Sequence, residues 1–93
     1  MRKSIHRAEY QILVEMLRES REQAGVTQAG LSKALGRSQS FVSDVERGQR
    51  RLDIIELRDI CRCLKLDFLG VVSALEHQLR SSVSSPVRRR KSR

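Results

Sequence analysis

The stretch from Thr27 to Gly48 narrows the possible folds more than any other part of the chain. Leu31 and Leu35 are four residues apart, which puts both on one face of a short helix. Gly36 then offers the positive φ that a sharp helix stop needs. Ser38 is a good N-cap for a second helix, starting near Gln39 and stopping at Gly48. Val42 and Val45 give that second helix one buried stripe. Its other face carries short polar groups: Gln39, Ser40, Ser43 and Asp44. Two short helices joined by a tight glycine turn, the second with a hydrogen-bonding face and followed by Arg47, Arg50 and Arg51, suit the major groove of duplex DNA.

Helix is also the expectation for the remainder up to about Ser81. Proline occurs once, at Pro86, and runs of β-branched residues are absent. A first helix is predicted from about Ser4 to Ala24, stopped by Gly25, with Leu13, Leu17 and Ala24 as its stripe and Ile12 and Met16 beside it. Thr27 caps the second helix, which ends near Ala34. Asp53 with Glu56 three residues on forms a capping-box pattern. It opens a fourth helix that runs to about Leu64 on Leu57, Ile60, Cys61 and Leu64. Asp67 caps a fifth, from Phe68 to about Arg80. The fold class is therefore all-α, a five-helix domain over residues 1–80 with the two-helix unit at about 27–47. Residues 81–93 combine serines, Pro86 and the run Arg88-Arg89-Arg90-Lys91. They hold too little apolar surface to offset ordering entropy and read as a disordered basic tail.

Ninety-three residues make one domain with a small core, and an aromatic content of 3% leaves that core to aliphatic side chains. The net charge of +8 is uneven: residues 1–80 hold 14 Lys and Arg against 11 acids, and residues 81–93 hold five basic residues and no acid. That balance fits a nucleic-acid partner, with the tail as a nonspecific electrostatic arm. No run approaches the ~18 apolar residues of a membrane span, and Met1-Arg2-Lys3-Ser4 is not followed by the apolar stretch of a signal peptide. A cytoplasmic, nucleoid-associated location is expected, with no membrane partner. Cys61 and Cys63, the two cysteines, point about 200° apart on a helix. They are expected as reduced thiols, at least one buried, with no metal site.

With these residues in view, the chain resembles the Cro/lambda-repressor-like helix-turn-helix regulators, also called the xenobiotic-response-element family. The resemblance rests on Arg21-x-x-Ala24-Gly25-Val26-Thr27-Gln28, Leu31, Leu35-Gly36, Ser38-Gln39-Ser40-Phe41-Val42-Ser43, Glu46-Arg47-Gly48-x-Arg50-Arg51-Leu52-Asp53 and Glu56-Leu57. It spans about residues 12–70. It implies a five-helix lambda-repressor-like domain that binds palindromic operators as a dimer. It also implies residue roles. Gln28 binds a phosphate and braces Gln39, in keeping with the free N–H groups of a helix start. Gln39, Ser40, Ser43 and Asp44 face base edges, where glutamine can pair with adenine and serine can donate or accept. Arg47, Arg50 and Arg51 contact the DNA backbone. Arg21 and Glu46 form a buried ion pair between the first and third helices. Phe41 is open to two readings, a contact with a thymine methyl or the sugar backbone, and a cover over the edge between the second and third helices.

Two departures stand out. Gly30 occupies the place of an acid that usually closes a capping box with Thr27, which weakens the second helix by about 1 kcal/mol for the glycine. Asp44 replaces a basic or amide residue. An acid there repels phosphates unless it accepts from a cytosine amine, so base contact and plain solvent exposure both stand.

The fifth helix carries more apolar residues than one face needs. Phe68, Val72, Leu75 and Leu79 form one stripe, and Leu69 and Val71 fall largely outside it. The surplus fits a homodimer contact, with Ile5, Tyr10 and Val14 as possible additions, or deeper packing within the monomer. The leading expectation is a sequence-specific, double-stranded DNA-binding transcriptional regulator acting as a repressor. The alternative is an antitoxin-like protein-interaction module that also binds DNA. No paired carboxylates, activated nucleophile or phosphate-binding glycine loop points to an enzyme, and no cofactor is expected.

Overall fold

The computed structural model describes residues 8–82. The predicted helix start near Ser4, Ile5 and the tail beyond Ser82 lie outside the described residues. Five helices follow in order: α1 (Ala8–Gln23), α2 (Gln28–Ala34), α3 (Phe41–Glu46), α4 (Ile54–Cys63) and α5 (Phe68–Ser82). No strand occurs among the described residues. The all-α reading holds, and α5 runs two residues beyond Arg80.

Four of the helices stop in the same way. After each, one residue turns left-handed: Gly25, Gly36, Gly48 and Lys65, at φ of 72, 69, 76 and 61°. In each case its own N–H and that of the following residue reach back to the helix's last turn. Gly36 N–H donates to Lys33 O (2.9 Å) and Arg37 N–H to Ser32 O (2.9 Å), while Lys65 N–H donates to Arg62 O (3.1 Å) and Leu66 N–H to Cys61 O (2.8 Å). These paired bonds satisfy carbonyls that a helix end leaves open. Lys65 accepts this backbone despite its Cβ, which makes it the strained member of the set. Helix starts follow local chemistry. Thr27 Oγ1 accepts from Gly30 N–H (2.9 Å). Asp53 and Glu56 complete a reciprocal capping box, at 2.7 Å from Glu56 N–H and 3.0 Å from Asp53 N–H.

The α2–α3 pair sits among the other helices, with α1 against α3 and α5, and α4 against α2 and α5. The common core contains Leu17, Leu31, Phe41, Val42, Val45, Leu57, Ile60, Cys61 and Leu64. Cys61 is fully buried and its thiol is pushed up by that burial, with Asp67 adding to the shift. Cys63 is half-buried and both thiols are free.

Two stripes differ from expectation. The buried residues of α1 are Tyr10, Val14, Leu17 and Arg21, while Leu13 is only partly buried and Ala24 is exposed. Tyr10 and Val14 are thus core residues of the monomer and are unavailable to a second surface. On α5, Val71 packs against the core with Phe68, and Val72 turns outward at 39% exposure. Leu69, at 74% exposure, stands clear of the core as expected.

Candidate nucleic-acid interface

The third helix begins later than its sequence suggests. Ser38 O accepts from Phe41 N–H (3.0 Å), so Ser38 to Phe41 form a turn and Gln39 and Ser40 lie on it. Ser40 is the N-cap, yet its backbone is helical (φ −86°, ψ −2°) and its side chain caps nothing. The missing cap comes from the preceding helix. Ser32, fully buried on α2, accepts through Oγ from Val42 N–H at 3.0 Å. One of the open N–H groups at the start of α3 is therefore satisfied by a side chain ten residues earlier. Ser32 carries no signal in the local pattern, and the expected cap at Ser38 is displaced by this longer-range bond.

Phe41, Val42 and Val45 face the core and hold α3 in place. Glu46 is held inside by Arg21, and the other polar positions point the other way. Gln39 and Ser40 are exposed at the tip, Ser43 and Asp44 are half-buried, and Arg47 is exposed at the far end. Ser40, Ser43, Asp44 and Arg47 follow helical spacing and share one side. Ser43 Oγ donates to Ser40 O (3.0 Å). Asp44 Oδ1 accepts from Arg47 Nη2 at 2.6 Å. Arg47 thereby balances the acid among the polar positions of this side.

Phe41 lies on the inner side of α3. Its ring is 5% exposed and belongs to the core. Two guanidiniums cover it, Arg37 with Cζ 4.2 Å and Arg50 with Cζ 5.0 Å from the ring centroid. Both reach Glu56. Arg37 Nη1 donates to Oε2 at 3.0 Å, Arg50 Nη2 to Oε2 at 2.7 Å, and Arg50 Nη1 to Oε1 at 3.2 Å. Glu56 also accepts from Asp53 N–H. That backbone bond holds its carboxyl down at about 2, burial opposes it, and the two arginines reinforce it. Arg37 and Glu56 are 19 residues apart, so no local spacing links them.

Gln28 has a partner that the resemblance does not name. Its amide donates to Glu46 Oε1 at 2.8 Å, inside the buried network rather than toward Gln39. Glu46 pairs with Arg21 through Nε (2.7 Å) and Nη2 (3.1 Å), and Arg21 Nη1 also donates to Val26 O (2.8 Å). This group joins α1, the α1–α2 turn, α2 and α3.

The loop after α3 is fixed from α1. Tyr10 donates its hydroxyl hydrogen to Arg50 O (3.2 Å) and accepts from Leu52 N–H (3.1 Å). Arg51 lies over the Tyr10 ring, with Cζ 4.7 Å from its centroid. Burial pushes the Tyr10 phenol up, against the Leu52 hydrogen bond and the nearby arginines. Gly48, buried and left-handed, also lies against Gln11; a Cβ there would stand 3.2 Å from Gln11 Nε2. No group of His, Cys, Asp or Glu among the described residues could hold a metal ion. No helix among them is long and apolar enough to cross a membrane.

A core-anchored second helix with a polar outer side, braced by its partner helix and flanked by arginines, defines the helix-turn-helix class of DNA-binding domains. The helix-turn-helix domain family matches residues 12–74. An XRE-family-like protein from Pseudomonas syringae pv. tomato is 48% identical, with a TM-score of 0.75 over 81% of this chain and 92% of that one. A variant of the restriction-modification controller protein C.Esp1396I shares the fold at 21% identity, with a TM-score of 0.72 over 82% of this chain and 96% of that one. The clp gene regulator ClgR from Corynebacterium glutamicum does so at 23% identity, with a TM-score of 0.71 over 84% and 83%. Among curated proteins there is no significant sequence match. The chain belongs to the helix-turn-helix family of DNA-binding regulators, in its Cro/XRE branch.

Proposed function

We propose that the protein is a sequence-specific repressor that reads duplex DNA with the tip and outer side of α3. The observation that carries this reading is the division of labour on that helix. Phe41, Val42 and Val45 are buried, and Gln39, Ser40, Ser43 and Asp44 remain on the outside with Arg47 behind them. Gln39 and Ser40 are assigned to base edges, with Ser43 and Asp44 following along the groove. Arg47, Arg50 and Arg51 are assigned to the DNA backbone. Gln28 is assigned to a backbone phosphate through its second amide N–H, while it braces Glu46 with the first. Binding within a promoter would exclude polymerase, which is the repressor sense. The site of action is the cytoplasmic nucleoid.

The test begins with selection of bound duplexes from a random pool. Gln39→Ala is then compared with wild type on the selected site and a scrambled one. Loss of a bidentate base contact costs about 1–3 kcal/mol of discrimination. Equal affinity of the wild type for every duplex defeats the specific-regulator reading. Unchanged discrimination in Gln39→Ala moves base readout elsewhere on α3.

The repressor is further proposed to act as a homodimer on a palindromic operator, because one short recognition helix reads too few base pairs to single out a site. The exposed face of α5 is the candidate contact. Leu69 and Val72 are its outward apolar residues, and Val71 is no longer a candidate because it packs inward. Leu69→Glu should weaken self-association by sedimentation at unchanged helicity. A wild type that fills its selected site as a monomer refutes the dimer, and unchanged association in Leu69→Glu moves the contact off α5.

A further inference from the structure

Arg37 and Arg50 enter the fold from opposite ends of α3. Arg37 precedes it, just after the α2 stop, and Arg50 lies in the loop that follows. They nevertheless converge on one aromatic ring and one carboxylate. Glu56 Oε2 accepts from both guanidiniums, at 3.0 and 2.7 Å. The Glu56 side chain is only 16% exposed, whereas those of Arg37 and Arg50 are 38% and 37% exposed. The carboxylate is thus the inner member of the cluster and the guanidiniums are its outer rim.

Two cations on one anion leave a unit of positive charge uncompensated. A guanidinium has five N–H donors. Glu56 takes one bond from Arg37 and two from Arg50, and Arg51 O takes another from Arg50 Nη1, so each still keeps donors for an outside acceptor. Both guanidiniums also lie over the Phe41 ring, which restricts where each can move. Long arginine side chains ordinarily lose rotamer freedom when they clamp a ligand. Here that ordering is present before any ligand arrives.

We propose that Glu56 is a positioning residue for DNA binding, holding Arg37 and Arg50 together as a preformed clamp for a backbone phosphate beside the recognition helix. The proposal rests on the DNA-binding reading above and adds Arg37 and Glu56 to it. It runs against simple charge counting, because an acid near DNA should weaken binding. In the clamp, the acid strengthens it.

Glu56→Gln and Asp59→Asn separate the two views. Each raises the net charge by one. Asp59 lines the same small cleft beside Leu35, Arg37 and Phe41, but its carboxylate forms no ion pair with either arginine. Gln at position 56 retains an oxygen to accept from Asp53 N–H, so the start of α4 stays capped. On the duplex selected by the wild type, Glu56→Gln should bind about tenfold more weakly, from the lost ordering of two side chains. Asp59→Asn should bind as well as wild type or better. Arg37→Ala should lower the slope of log affinity against log salt by about 0.9, one phosphate's share. In the Arg37→Ala background, the Glu56→Gln effect should shrink, since the two act through one arrangement.

Circular dichroism of each variant verifies helicity, and Arg37→Ala carries the test if Glu56→Gln loses it. Tighter or unchanged binding by Glu56→Gln overturns the clamp, as does an unchanged salt slope in Arg37→Ala. A wild type that binds no duplex overturns the clamp and the DNA-binding reading together. A wild type that binds its site while Glu56→Gln binds more tightly overturns the clamp alone.

Discussion

Glu46→Ala should lower the unfolding free energy by about 3–5 kcal/mol, the usual cost of removing one partner from a buried ion pair. The Arg21 and Glu46 side chains are 10% and 6% exposed. Without the carboxylate, Arg21 keeps its bond to Val26 O and loses both charge-assisted bonds to Glu46, while the amide of Gln28 loses its acceptor. Arg21 cannot shed its charge in response. A guanidinium stays protonated in proteins, even though the rise of its pKa here comes chiefly from the Glu46 hydrogen bonds, with burial opposing, and is lost with the carboxylate. For a domain whose whole stability is about 5–15 kcal/mol, that is from about a fifth to all of it. Urea titration of wild type, Glu46→Ala and Glu46→Gln provides the measurement. Glu46→Gln, which preserves shape and some hydrogen bonding, should fall between the other two. Coincident midpoints for wild type and Glu46→Ala would show that the pair contributes no net stability and that Arg21 finds water when released.

Ser32→Ala is expected to have the second largest effect. It removes one oxygen and leaves Val42 N–H buried without an acceptor, at a cost of about 1–3 kcal/mol. A shift in Tm of roughly 10 °C follows for a domain of this size. The damage should be local in character. Hydrogen exchange at Val42 should accelerate more than at Ile60, which lies in the core away from the α2–α3 junction. An unchanged Tm would mean that Ser40 swings into the cap position when Ser32 is lost. In that case, α3 would carry a cap of its own, two residues after the Ser38 that the sequence suggests.

That alternative bears on what the sequence could convey. Local signals were legible where the physics is local. The glycine stops, the Thr27 cap, the Asp53–Glu56 box and the Leu57, Ile60, Cys61 and Leu64 stripe all involve residues within a few positions of one another. The family pattern added the Arg21–Glu46 pair, which spacing alone does not give. The first helix was harder because its apolar residues are crowded. With Tyr10, Ile12, Leu13, Val14, Met16 and Leu17 in one run, more than one stripe fits, and the true one ends on a buried arginine. On α5, Val71 and Val72 are adjacent, and only the packing against α1 and α4 decides which turns inward. The candidate interface was legible as a set of polar positions on the third helix. The groups that hold it were not. Ser32 on Val42, Glu56 on Arg37 and Tyr10 on Arg50 and Leu52 join residues 10 to 42 positions apart.

The Tyr10 hydroxyl has a consequence for how the molecule comes together. Its bonds to the loop close a circuit of about forty residues, which is entropically costly and must await the docking of α1. The α2–α3 unit, by contrast, is built from contacts close in sequence. The recognition helix can therefore take shape early, with its arginine loop still free, and the loop acquires its final path only when the first helix arrives. A fragment confined to residues 27–52 would contain α3 but lack the tyrosine that sets the course of the arginine loop after it.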